Sequence, residues 1–179
     1  IVSRDWSSDV CSSDLGEYFY EDYLETFSQP PEYRLEPLLL PLHLTVTGET
    51  LTADFTGAAE QAPAPVNSTL AVTAASVFIT LKSVFDPTQA LNHGSFRPVS
   101  VIAPLGTIVN VTHPAPAGSH GEIRKRVIAT MLGALAHACP ELSSADIHRT
   151  SFHNLIGGVD PATGKDRKST RLNSSHVKR

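Results

Sequence analysis

The chain has 179 residues, 41% of them hydrophobic and 18% charged, with a formal net charge of −4. That acidity argues against a nucleic-acid surface, which needs a basic stripe, and no apolar run approaches the roughly 18 residues of a membrane span. The length suffices for one hydrophobic core.

Residues 1–15 read as a tail foreign to the fold. Asp5 to Leu15 back-translates into DNA whose reverse complement, in another frame, encodes the peptide standing at Asp166 to Ser175. Chain ends that encode each other in antisense point to a sequencing adapter translated at both ends of a DNA fragment. Residues 1–15 and 166–179 are therefore set aside from fold reasoning, and 16–165 is expected to be an interior slice of a larger subunit. Six of the 14 Lys+Arg and four of the 18 Asp+Glu fall in the tails, leaving the middle at a formal −6. Cys11 falls there too, so Cys139 has no partner for a disulfide, which suits a reducing, cytoplasmic setting.

Glu17 to Glu36 is acidic and aromatic and predicts an extended arm or strand with a loop at Gln29-Pro30-Pro31. Leu42, Leu44 and Val46 alternate with His43, Thr45 and Thr47, the period of a half-buried strand. Gly48-Glu49 suits a two-residue hairpin turn with Gly first. Leu51, Ala53 and Phe55 continue the alternation on the way back, which sends Asp54 to the face opposite Phe55. After a loop from Gly57 to Pro65, Asn67 or Ser68 is expected to cap a helix with Leu70, Ala74, Val77, Phe78, Leu81, Val84 and Phe85 at helical spacing. Thr73, Ser76, Thr80 and Ser83 form a second, small polar face suited to close packing, and Asp86-Pro87 ends the helix.

Val99 to Ala103 and Ile108 to Val111 predict two strands around Pro104-Leu105-Gly106. A Pro/Gly/His loop follows, from His113 to Gly121. A second helix then runs from about Glu122 to Ala138, with Ile123, Val127, Ile128, Met131, Leu132 and Leu135 facing a core. Ser144 to Lys165 is mixed, with Gly157-Gly158 and Asp160-Pro161 as turn markers. Hairpins and two long helices without regular strand–helix alternation predict an α+β fold.

Three stretches stand where these elements end: Asp54-Phe55-Thr56-Gly57, Pro65-Val66-Asn67-Ser68-Thr69 and Leu91-Asn92-His93-Gly94-Ser95-Phe96-Arg97-Pro98. In this order and spacing they resemble the B-type subunit of the hydantoinase/oxoprolinase family, from about Glu17 to Lys165. The resemblance implies part of an ATP-dependent enzyme that opens a cyclic amide, of the N-methylhydantoinase or 5-oxoprolinase kind. The alternative is the equivalent subunit of an acetone- or acetophenone-type carboxylase. It further implies that an A-type partner subunit or domain binds ATP and phosphorylates the carbonyl oxygen, while the B-type part supports attack on the activated carbon. A divalent metal would belong to a region nearer the N-terminus that this chain lacks, so neither cofactor nor metal ligand is expected here.

Each candidate residue has two readings. Asp54, at a strand end, is a metal ligand or general base, or a cap on the turn. Asn67-Ser68-Thr69 matches a glycosylation acceptor, which requires secretion; at a helix start it offers an anion or carbonyl site, or an ordinary cap. Asn92, Gly94 and Arg97 form a loop entering a strand, where Arg97 forks onto a substrate carboxylate or partner, or makes a structural salt bridge. His120-Gly121-Glu122-Ile123-Arg124-Lys125-Arg126 places three cations in the first turn of a helix whose dipole already makes that end positive. Either an anion lies opposite, or this is a solvated face partly offset by Glu122.

That stretch departs from the commoner family pattern of Asn, Glu, Thr, Ser, Gln and Arg, although Glu122 and Arg126 align. The departure suggests a subgroup with a different substrate or partner. His113, His120, His148 and His153 lack a tight ligand spacing. The candidate site is thus Glu122 and Asp54 as catalytic groups, with Asn67, Asn92, Arg97, His120, Arg124 and Arg126 binding a small cyclic amide or ketone. No phosphate-binding loop occurs in the chain. Residues 16–165 prepared alone should therefore hydrolyse neither ATP nor hydantoins. Steady-state turnover by that segment, abolished by a point mutation within it, would refute this.

Overall fold

The computed structural model describes residues 16–25, 36–88, 90, 92–143, 145–149, 156–164 and 166–169. Strands β1 (Gly16–Leu24), β2 (Leu38–Thr47), β3 (Thr50–Asp54) and β4 (Val99–Ile102) form one sheet in that order. β1 pairs antiparallel with β2 and β2 with β3, whereas β4 returns parallel to β3. A parallel return needs a crossover, and helix α1 (Leu70–Phe85) lies in it. Helix α2 (His120–Ala138) follows β4 and packs against α1, β1 and β2. The α+β expectation holds.

Alternation decides which residues meet the helices. Leu40, Leu42, Leu44 and Val46 of β2 and Leu51 and Ala53 of β3 are buried, and Ile123, Val127, Met131 and Leu135 of α2 join the same core. Close approach is permitted at Gly133, where an added Cβ would lie 2.6 Å from the Tyr20 ring of β1. The β2–β3 hairpin turns at Gly48-Glu49 as expected. Gly48 takes φ 56°, which a hairpin turn with Gly first requires, and the Thr50 hydroxyl donates to the Thr47 carbonyl at 2.9 Å.

α1 has the expected span but a different orientation. Its buried residues are Thr73, Ser76, Val77, Thr80 and Leu81, whereas Leu70 and Ile79 are 44% and 57% exposed. The small polar face packs closely at Thr73, Ser76 and Thr80, where each buried hydroxyl finds a carbonyl, whereas Ser83 is exposed. Thr73 donates to Val109 at 2.7 Å, Ser76 to Val72 at 2.6 Å and Thr80 to Ser76 at 2.8 Å. Phe78 is half-buried and stacks on Phe96, with ring centroids 4.4 Å apart.

Two further expectations are corrected. Ile108 to Val111 is not a strand but a compact turn bonded to its neighbours as well as to itself: Ile108 N donates to Ala59 O at 3.0 Å, Ser68 N to Ile108 O at 2.8 Å and Val111 N to Ser68 O at 3.0 Å. Gly106 N donates to Asn110 O and Asn110 N to Thr107 O, while the Asn110 amide donates to Ala103 O at 2.8 Å. Ile108 and Val109 are fully buried without any ladder. Gly157-Gly158 is not a turn but lies inside β5 (Ile156–Val159), which pairs antiparallel with β6 (Asp166–Ser169). The turn is at Asp160, whose carboxylate accepts from Ala162 N at 2.9 Å. Residues 166–169 therefore do contact the rest, since a backbone ladder needs no side-chain burial. Residues 1–15 and 170–179 lie outside those described.

Gly133→Ala should lower stability by about 1–3 kcal/mol, the usual cost of overpacking, as measured by urea unfolding. In a Tyr20→Ala background the same change should cost little, because the coupling resides in that one contact.

Candidate functional site

α2 begins at His120, two residues before its apolar period suggests, after Ser119, which makes no side-chain cap. Glu122 therefore lies in the first turn, where the dipole favours a carboxylate. Arg124, Lys125 and Arg126 fall in the second turn, where that field has faded. The expectation of three cations in the first turn is corrected accordingly. Two amides at this end already have partners: His120 N donates to Ala117 O at 3.3 Å and Glu122 N to Ser119 O at 2.9 Å. His120 and Arg124 are exposed, Glu122 is half-buried, and Glu122 and Lys125 each engage another group.

Neither Asn67 nor Ser68 caps α1; Thr69 holds that position without a side-chain bond. Asn67 has no exposed surface, and its carboxamide is committed to backbone. Oδ1 accepts from Ala62 N at 2.7 Å, and Nδ2 donates to the carbonyls of Ala62 at 2.8 Å, Ala64 at 3.1 Å and Pro116 at 2.7 Å. Ser119 N donates to Pro65 O at 2.6 Å. Asn67 thus locks the loop after β3 to the loop that delivers α2, and positions that end of the helix instead of offering free polar atoms. Gln61 reinforces the seam, accepting from Thr112 N and Thr112 Oγ1 at 2.9 Å each.

Arg126 faces β1. Its Nη1 lies 3.1 Å from both oxygens of Asp22, whose side chain is 7% exposed against 12% for Arg126. Arg149 Nη1 reaches Asp22 Oδ1 at 3.0 Å and its Nη2 reaches Asp146 at 2.6 Å. Hydrogen bonding to Asp146, then the charge of Asp22, holds the Arg149 guanidinium above its ordinary range against the opposing effect of burial. Arg126 Nε is buried without an acceptor among the described residues. As placed, Arg126 makes a structural ion pair and is not turned toward a ligand.

Asp54 sits on the other face of the sheet. Its Oδ1 accepts from Thr56 N at 2.8 Å and Thr56 Oγ1 at 2.6 Å, which caps the turn at Gly57, where φ is 96°. Across the strands it pairs with His43. Asn92 Oδ1 accepts from Ser95 N at 3.2 Å and caps the 3-10 turn His93–Phe96. Arg97 is exposed at the start of β4, the end of that strand away from Ile102, which pairs with Asp54. The structure therefore gathers Glu122, His120, Arg124 and Asn67 at one end of α2, and leaves Asp54 and the Asn92–Arg97 loop apart from them.

Sequence reasoning missed Asp22, Arg149, Gln61 and His43. Asp22 did carry a signal, since it shares the inward register of Tyr18, Tyr20 and Leu24, and an inward carboxylate needs a cationic partner.

The sequence profile of the Hydantoinase B/oxoprolinase family matches residues 4–174, and the chain belongs to that family. It is 34% identical over 128 residues to an uncharacterized protein of Methanocaldococcus jannaschii, covering 71% of this chain and 23% of that protein. It is 30% identical over 139 residues to a protein of a Pseudomonas species named as the B-type subunit of a D-/L-hydantoinase, covering 74% and 24%. A 5-oxoprolinase of Pestalotiopsis fici matches at 29% over 112 residues, 63% of this chain and 8% of that protein. The chain thus spans about a quarter or less of the curated relatives it matches. Its fold is that of part of the ATP-dependent caprolactamase from Pseudomonas jessenii, at a TM-score of 0.74 and 23% identity over 93% of this chain and 28% of that one. Nucleotide-free acetone carboxylase gives 0.73 and 15%, over 90% and 23%.

Asp22→Asn should leave Arg126 buried without its counter-charge and lower stability by about 3–5 kcal/mol. Asp22→Leu combined with Arg126→Met should recover most of that loss. Urea unfolding of both variants beside the parent checks this.

Proposed function

We propose that this chain is part of the B-type component of an ATP-dependent cyclic-amide hydrolase of the hydantoinase or 5-oxoprolinase kind, acting with an A-type ATP-binding subunit or domain. The observation that carries the reading is the match to relatives named as a B-type hydantoinase component and a 5-oxoprolinase. None of the positive-φ glycines opens a helix, and no three His, Cys, Asp or Glu side chains converge among the described residues. The family resemblance implies that ATP and any metal sit elsewhere in the assembly, and we keep them there.

What this chain would contribute is the start of α2. Glu122, favoured as a carboxylate by the helix dipole, orients water and takes its proton as it attacks the ring carbonyl carbon. Arg124 and His120, both exposed on the same two turns, offset charge developing on the intermediate. Asn67 and Arg126 hold the helix end in place from either side. Asp54 and the Asn92–Arg97 loop serve substrate or partner contacts only if another part of the protein bridges the distance. The carboxylase reading shares the Pro65-Val66-Asn67-Ser68-Thr69 and Phe96-Arg97-Pro98 motifs, and the likeness of fold to acetone carboxylase, at 15% identity, does not reach the chemistry.

The whole subunit with its ATP-binding partner should open hydantoin or 5-oxoproline in an ATP-dependent way. ATP-coupled carboxylation of acetone in bicarbonate, without ring opening, would favour the second reading instead. Glu122→Gln should lower turnover by at least about a hundredfold, the scale of a lost acid–base group, and change stability by less than about 1 kcal/mol. Arg124→Ala should raise KM at an unchanged melting temperature. Unaltered turnover in both would make this stretch an ordinary solvated helix start.

A further inference from the structure

The face of the sheet turned away from the helices is neither a core face nor a plain solvated one. Strand register places Phe19, His43, Asp54 and Ile102 in one row across all four strands, with Glu17, Thr45, Thr52 and Ser100 in the next. Phe19, Tyr23 and Ile102 on this face are 50%, 45% and 46% exposed. The Phe19 ring lies 4.8 Å from that of His43, and the Tyr23 hydroxyl donates to Glu21 at 3.2 Å. Glu21 also pushes the Tyr23 phenol above its ordinary range, chiefly through its charge. Glu17, Glu21 and Asp54 supply three carboxylates here, and none of the four strands contains a Lys or Arg.

Exposed aromatic and aliphatic side chains grouped on one face mark a contact surface. The carboxylates between them narrow what can sit there. A second copy of this chain would set the same carboxylates against each other, and an anionic lipid surface would be repelled. A continuation of the chain's own core would call for a face without unpaired carboxylates, whereas exposed aromatics bordered by charged side chains match an interface with aromatic anchors and a polar rim. We infer that the outer sheet face docks a separate protein through a basic surface. Its Arg or Lys side chains would pair with Glu17, Glu21 and Asp54 and stack on Phe19 and Tyr23, while its apolar side chains would cover Ile102. This does not depend on the catalytic reading of α2.

The test uses the full chain and two short fluorescent peptides, one alternating Arg and Leu, the other Glu and Leu, with binding followed by anisotropy. The Arg-Leu peptide should bind, and more weakly as salt rises from about 50 to about 300 mM; the Glu-Leu peptide should not bind. Glu17→Gln with Glu21→Gln should weaken binding at least about tenfold, as should Phe19→Ser if circular dichroism shows it folded. Glu49→Gln with Glu141→Gln removes the same charge elsewhere and should change affinity less than about twofold. An equal loss in that control, or equal binding of both peptides, would overturn the proposal. So would a dimer in sedimentation that Phe19→Ser breaks, since the occupant would then be a second copy.

Discussion

A carboxylate buried on the core side of a strand must be compensated, and the placement of α2 follows from how Asp22 is compensated. The apolar residues of α2 alone would allow the helix to roll on the sheet. Arg126, whose Nη1 bonds both oxygens of Asp22, removes that freedom at one end. Seven residues on, and so on nearly the same helical stripe, Gly133 removes it at the other by letting the Tyr20 ring touch the helix backbone. Both contacts are made to inward residues of β1. The rotation of α2, and with it the direction in which Glu122 and Arg124 project, is thus set by one ion pair and one missing side chain, with the aliphatic core supplying the bulk of the stabilisation.

The same end of α2 is fixed a second time by Asn67. Four backbone groups from two loops converge on one carboxamide. Loops that must pass through a protein interior carry polar groups that water cannot reach, and a side-chain amide can satisfy both donors and acceptors at once. Gln61 and Asn110 do the same for the neighbouring turns. Ile108 to Val111 is buried without joining a sheet because Ala59 and Ser68 pair with its backbone and the Thr73 hydroxyl takes the Val109 carbonyl.

Period-two and period-3.6 patterns were legible, and they gave β2, β3, both helices and the turn at Gly48. Local pattern did not show which side of α1 is buried, because that helix is apolar or small nearly all round and its buried Thr and Ser hydroxyls bond to carbonyls. A hydrophobicity count favours Leu70 as core; packing chose Thr73 and Thr80. The ion network was illegible for another reason. Asp22 and Arg149 are 127 residues apart, and only tertiary folding brings them together. For the candidate site, the sequence located the helix but misplaced its first residue, which moved the cations from the first turn to the second.

That turn changes what the basic run can mean. Successive helical residues point about 100° apart, so Arg124, Lys125 and Arg126 cannot form one cationic patch. Arg126 turns inward to Asp22, Arg124 turns outward, and Lys125 has a partner of its own. Glu122 and Arg126, the two positions that align with the family pattern, lie one turn apart on one face yet do different work. Arg126 holds the helix, and Glu122 depends on where the helix is held. A loss of activity on replacing Arg126 would therefore say nothing about substrate contact unless stability were measured beside it, and Glu122, half-buried and engaged with another group, needs the same pair of measurements.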